Sequence, residues 1–224
     1  MKIVGLLIVK DEADILRQML DHAAKWADAF IAIDNGSTDE TSEILQAHPL
    51  VLRWERDLET FSEARMVPRL ISMAEPIGAD WFVDNDADEF FDPAIRETIS
   101  NLPASVNTLT VNIDSYLPVR KLWHLYNRKN FWARAYKNVP ELFNFSEIRQ
   151  LHGGKIPILR KDRDARYSAL NVTHRPIRSY EQGMRKYENY KRIDTTGIQS
   201  SYEHIREAAE ALRTGDMSRV PWVR

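Results

Sequence analysis

Apolar positions in the first half of the chain form short unbroken runs separated by stretches with helical spacing. Residues 3–9 are apolar throughout, apart from Gly5, as expected of a strand buried on both faces. Residues 12–26 place Ile15, Met19, His22 and Trp26 three to four residues apart, which predicts an amphipathic helix. A second strand is predicted over 30–33, and residues 35–39 read as a turn entering a helix. Ser37 or Thr38 would cap that helix, and Ile44 and Leu45 would give it an apolar face. A third strand follows at 50–52. A helix over 60–75 carries Pro68 as a local irregularity. A fourth strand over 81–83 runs into an acidic cluster, and Asp92 and Pro93 read as the N-cap and first residue of a further helix.

The second half is less regular. Residues 109–113 alternate as a strand does, whereas 116–150 are rich in aromatics and bases without a long period. Residues 156–159 make a short strand at best, and Pro157 places it at an edge. Helices are predicted over 178–192, with a basic character, and over 201–213. With no internal repeat or linker, one domain over 1–224 is the simplest organisation. The strand–helix alternation predicts an α/β fold: a doubly wound, mostly parallel sheet followed by an irregular C-terminal region. In such sheets ligands bind beyond the carboxyl ends of the strands. Three polar segments occupy those places: Lys10-Asp11-Glu12, Asp34-Asn35-Gly36, and Asp84 to Glu89.

Composition narrows this picture. The chain has no cysteine, which excludes a disulfide framework, a thiolate zinc site and a cysteine nucleophile. The net charge of -2 conceals an asymmetry: residues 1–114 hold 22 acids and 9 bases, residues 115–224 hold 11 acids and 22 bases. The bases form no dense run and no nucleic-acid module, so no nucleic-acid partner is expected. The run at 3–9 is too short to span a bilayer and lacks the features of a signal peptide. The expected location is cytoplasmic, with peripheral association at the inner face of a membrane left open.

The acidic cluster, Asp84-Asn85-Asp86-Ala87-Asp88-Glu89, carries the clearest chemistry. Four carboxylates within six residues repel one another, and burying them is costly unless a cation compensates. Hard carboxylate oxygens suit Mg2+ or Mn2+, which proteins commonly hold through one or two carboxylates plus substrate phosphates. A calcium-loop reading fails, because its sixth position is Glu89 rather than Gly and its twelfth is Ile95 rather than Glu.

Three segments together resemble a known family. Lys10 to Leu16, Ile33 to Thr41 and Phe82 to Phe90 look like the three N-terminal motifs of family 2-like glycosyltransferases with the GT-A fold. His22 after the first motif and D-x-D-E-F in the third are similar to a bacterial subgroup. The resemblance covers residues 1–115, which would form a nucleotide-sugar-binding half; 116–224 would form an acceptor-binding half. It implies that Asp86 and Asp88 are the D-x-D metal ligands, with Asp86 also facing the nucleotide-sugar. It implies that Asp34 binds the base or ribose, that Lys10 and Glu12 line the same pocket, and that Arg65 contacts the nucleotide.

The implied activity is metal-dependent, inverting transfer of a sugar from a UDP-, GDP- or dTDP-sugar to a glycan or lipid-linked acceptor. Many relatives carry a Glu-Asp pair in the second half; no such dipeptide occurs here. The acceptor's base is then sought among Glu141, Glu147, Asp114 and His152, with a lean to Glu147. It precedes the Gly-rich stretch 149–155, which suits close backbone approach to a ligand. His174 is a candidate third metal ligand, since imidazole can join carboxylates on Mn2+. Trp123, Tyr126, Phe131, Trp132 and Tyr136 could stack on a sugar face or pack in a core. Two other functions fit less well: a sugar-phosphate nucleotidyltransferase, whose Gly-rich loop after the first strand is missing, and a non-catalytic nucleotide- or glycan-binding module.

Overall fold

A computed structural model describes residues 1–119, 122–149, 155–194, 202–216, 218 and 220. In chain order the elements are β1 (Ile3–Val9), α1 (Ala13–Ala23), β2 (Ala29–Asp34), α2 (Thr41–Ala47), β3 (Val51–Arg56), α3 (Glu63–Ala74), β4 (Trp81–Asp84) and β5 (Glu89–Phe91). Then follow α4 (Ile95–Ser100), β6 (Thr108–Val119), β7 (Leu122–Lys137), β8 (Ala165–His174), α5 (Tyr180–Ile193) and α6 (Glu203–Thr214). The chain forms two compact units. The first comprises Met1–Asn112 and Phe131–Val172, the second Ile113–Asn130 and Thr173–Arg224.

The eight strands form one sheet in the order β3-β2-β1-β4-β7-β6-β8-β5. Strands β1 to β4 pair in parallel, and β4 pairs antiparallel with β7. The sheet is thus mixed, with the parallel half that the alternation predicts. β1 and β2 are buried along their whole length, as expected for central strands covered on both faces. Gly5 lies opposite Phe30 in the register. A side chain at position 5 would meet the Phe30 ring at 2.3 Å, so glycine lets that ring lie flat across β1. Trp26 packs beside it, ring centroids 5.8 Å apart.

Helix α3 lays Met66, Val67, Leu70, Ile71 and Ala74 against β1 and β2, and it continues through Pro68. Phe82 of β4 and Tyr136 of β7 close the same core, with Phe143, Ile156 and Ile158 packed around them. Among the described residues no helix is long and apolar enough to cross a membrane.

Several boundaries differ from expectation for local reasons. β3 extends to Arg56, beyond the predicted 52, because the charged residues of an edge strand hide its pattern. α2 begins at Thr41 rather than after Ser37 or Thr38, with the Asp39 carboxylate accepting the Thr41 N–H. α4 begins at Ile95; the Asp92 carboxylate accepts the Ala94 N–H just before it. The aperiodic stretch from 116 holds the end of β6 and the 16-residue β7. Residues 156–159 contribute one bridge, Ile158 to Phe143. Helices α5 and α6 form where predicted, and Ser179 Oγ caps α5 by accepting the Gln182 N–H at 3.1 Å.

Candidate functional site

At the carboxyl ends of β1, β2 and β3, side chains tie three loops together. Asp11 has a φ of 51°, a left-handed conformation that Asp tolerates better than most residues. Its N–H donates to Ser37 Oγ at 2.9 Å, and its Oδ1 accepts from the Thr38 N–H at 2.7 Å. The Glu12 N–H donates to Thr41 Oγ1, and the Ala13 N–H to Asp39. Lys10 Nζ donates to the Asn35 carbonyl at 2.9 Å.

Asp34 ends β2 and is fully buried. Its Oδ1 accepts from the Ser37 N–H and Oγ at 2.8 and 2.6 Å, and its Oδ2 accepts from Ser42 Oγ. Both carboxylate oxygens are therefore engaged within the chain, and Asp34 shapes the loop that follows it.

Asp57 plays the equivalent part after β3 and escaped the sequence reading. It is buried and receives both Arg65 and Arg69 on Oδ2, with the Glu59 N–H on Oδ1. Burial raises its carboxyl, but Arg65 outweighs this and holds it below the usual range. Arg65 also donates to the Thr60 carbonyl and pairs with Glu59, so its charge serves this network. The available signal was a carboxylate one residue beyond a strand, as at Asp34, but β3 was read too short to show it.

The acidic cluster lies at the end of β4, beside β1. The Asn85 N–H donates to the Leu6 carbonyl, and the Glu89 N–H to the Asp86 carbonyl, closing a tight turn. One step beyond Val83–Ala135, the antiparallel register sets Arg134 opposite Asp84. Arg134 Nη1 donates to Asp84 Oδ2 at 2.7 Å, and its Nη2 reaches Glu89 Oε1 and, at 3.5 Å, Asp86 Oδ2. Lys155 Nζ lies 2.6 Å from Asp86 Oδ1 and 3.1 Å from Asp84 Oδ1. The chain thus supplies two buried cations to its own carboxylates, and the sequence reading identified neither.

Arg134 is shared among Asp84, Asp86 and Glu89, Lys155 between Asp84 and Asp86, and Lys155 also feels Glu63 at the start of α3. Burial pushes the Glu89 carboxyl up; Arg134 pulls it back, Asp86, Asp88 and Asp84 push it up again, and it settles at about 8. Burial also raises Asp86, but Lys155 and then Arg134 outweigh it and bring it down to about 2.

The side chain of Asp86 is 37% exposed, against 5% for Asp84 and 2% for Glu89. Asp88 is buried beside it. Asn85 donates its Nδ2 to the Asp86 and Glu89 carbonyls, while its buried Oδ1 has no hydrogen-bond partner. Among the described residues no three His, Asp or Glu side chains converge as a metal-ligating group. Two carboxylates suffice for Mg2+ or Mn2+ when phosphate oxygens complete the shell. The hard carboxylate donors and the orphaned Asn85 oxygen fit such an ion at Asp86 and Asp88.

His22 donates from Nε2 to the Phe91 carbonyl at 2.7 Å and packs edge-on against Phe90, anchoring α1 to β5. Glu147 is exposed and accepts the Arg160 N–H at 3.3 Å. His152 lies outside the described residues, as do the side chains of Trp123, Tyr126 and Phe131. His174, at the end of β8, belongs to the second unit, where its Nδ1 meets Ser115 Oγ at 2.8 Å. Asp114 also belongs to that unit and is buried. Tyr136 is wholly buried, in keeping with core packing, whereas Trp132 is 42% exposed and lies under the Arg134 guanidinium.

No protein-family model and no curated protein matches the sequence. Solved structures do. S. aureus TarS matches over 97% of this chain with a TM-score of 0.54 and 13% identity; this chain spans 45% of that one. TarS 1-349 in complex with UDP-GlcNAc matches over 96% of this chain and 73% of that one, with a TM-score of 0.55 and 10% identity. GalNAc-T7 with UDP, GalNAc and Mn2+ matches over 98% of this chain and 53% of that one, with a TM-score of 0.55 and 11% identity. At such identities the likeness establishes the fold, which is of the GT-A type.

Proposed function

We propose that this chain is a glycosyltransferase that takes a sugar from a nucleotide-sugar donor with the help of Mn2+ or Mg2+ held through Asp86 and Asp88. The observation that carries this reading is the carboxylate cluster just beyond β4, whose accessible member Asp86 follows Asn85 with its unpartnered buried oxygen. It lies on a GT-A-type sheet, at the strand edge where α/β sheets bind ligands. The structural neighbours hold UDP-GlcNAc in one case, and UDP with Mn2+ in another.

In this reading the loops after β1, β2 and β3 face the nucleotide. Asp34 and Asp11 fix their shape from within, Lys10 and Glu12 line the edge, and Arg65 holds the loop after β3 through Asp57. Departure of the sugar leaves negative charge on the diphosphate, and a divalent ion bound there acts as a Lewis acid on that charge. Asp86 and Asp88 would hold that ion, and Arg134 fixes Asp84 and Glu89 beside them. A hydroxyl of the acceptor, a glycan or a lipid-linked acceptor, gives up its proton to a base and attacks the sugar's anomeric carbon with inversion as the bond to the diphosphate breaks.

The test is donor hydrolysis by the purified chain across UDP-, GDP- and dTDP-sugars with Mn2+. The reading expects slow release of nucleoside diphosphate from at least one donor, abolished by a chelator. Tight nucleotide binding without any turnover across donors and acceptors would favour a binding module instead. Thermal shift locates the preferred donor first, because a ligand that binds only the folded state raises its stability by mass action.

A further inference from the structure

Asp86 offers the cluster's most accessible oxygens, and one already carries an ammonium group. Lys155 Nζ sits 2.6 Å from Asp86 Oδ1, and its side chain is only 10% exposed. A divalent ion on Asp86 would stand within a few ångströms of that ammonium, and like charges so close repel strongly. The two cations of the cluster differ in how firmly they are held. Arg134 projects from β7 and is shared among Asp84, Asp86 and Glu89. Lys155 lies in a bend outside the strands, at the tip of a flexible four-carbon stem whose donors rotate freely. Buried Glu63, at the start of α3, also attracts it.

We infer that Lys155 is a built-in, exchangeable counter-ion: it neutralises Asp86 when no metal is bound, and a divalent ion enters only by displacing it. This rests on the proposed metal role of Asp86 and Asp88, and adds that metal entry and lysine departure are one event. A lone metal ion would then bind weakly. A nucleoside diphosphate would strengthen it, by giving the displaced ammonium a second anion to pair with.

The experiment has two arms on the full chain, both without nucleotide, and a control in which the first is repeated with UDP. In the first, Mn2+ is titrated calorimetrically into the wild type and Lys155→Met; the variant should bind at least tenfold more tightly. In the second, wild-type lysines are acetylated with a water-soluble ester, with and without saturating Mn2+, and read by mass spectrometry. Modification of Lys155 should be slow without metal and at least tenfold faster with it, while exposed Lys161 is unchanged. The second arm stands even if Lys155→Met fails to fold. Equal Mn2+ affinity in a folded Lys155→Met, or a Lys155 that stays protected at saturating Mn2+, overturns the exchange. If neither protein binds Mn2+, with or without UDP, the metal reading itself fails and the exchange with it.

Discussion

Asp34 and Asp84 both end strands of the parallel half of the sheet, and the chain treats the two places in opposite ways. After β2, neutral donors meet a single carboxylate: Ser37 and Ser42 saturate Asp34, and Ser37 and Thr38 complete the tie to Asp11. After β4, charges meet charges, with Arg134 and Lys155 shared among Asp84, Asp86 and Glu89. A carboxylate bonded by neutral donors is satisfied and holds a loop still. A carboxylate cluster whose cations are shared is held together by its surroundings and can exchange one cation for another. The first end is a frame, and the second is where a ligand has something to gain.

Four measurements press on that contrast. Arg134→Ala should do the most damage, because it leaves buried Glu89 without its cation and Asp84 with Lys155 alone. Breaking a buried pair in this way costs about 3–5 kcal/mol, and urea denaturation should show it; a loss below about 1 kcal/mol would mean that water screens the cluster. Asp34→Ala removes the acceptor for three donors and should cost about 1–3 kcal/mol by the same measurement. That loss should appear without nucleotide or metal present.

The pH dependence should come next. Glu89, raised to about 8, binds its proton more tightly in the folded chain than in the unfolded one, where 4.5 applies. Its contribution is complete below 4.5 and is lost as pH rises through 8. Asp86, lowered to about 2 from 3.8, works the other way, and its contribution disappears as pH falls through that interval. Stability should therefore decline from about pH 5 toward 8, and Glu89→Gln should flatten that limb; an unchanged slope would show that Glu89 is ionised in the folded chain. Asp86→Asn should move stability least, by no more than about 1 kcal/mol, since partly exposed ion pairs contribute little.

The parallel half of the fold was legible because its signals are local. Unbroken apolar runs marked β1 and β2, helical spacing marked α1 and α3, and each of the three motif segments sits at a strand end. The cluster's neutralisation was not legible, because it depends on partners 50 and 69 residues away from the acids they meet. Arg134 faces Asp84 only through the β4–β7 register, and β7 lay in a stretch whose aromatics and bases show no period. The motif reading put Asp34 on the nucleotide; its burial and three donors come from Ser37 and Ser42, which sequence spacing alone left as cap candidates or unremarked.

The account turns on whether the end of β4 takes a divalent ion together with a nucleoside diphosphate. Calorimetric titration of UDP and GDP into the wild type, Asp86→Asn and Asp88→Asn, each with and without Mn2+, addresses this directly. The account predicts binding of one nucleotide by the wild type that requires Mn2+ and is lost in both variants while their folds remain intact. Nucleotide binding that is the same with and without Mn2+, and undiminished in both variants, would contradict it.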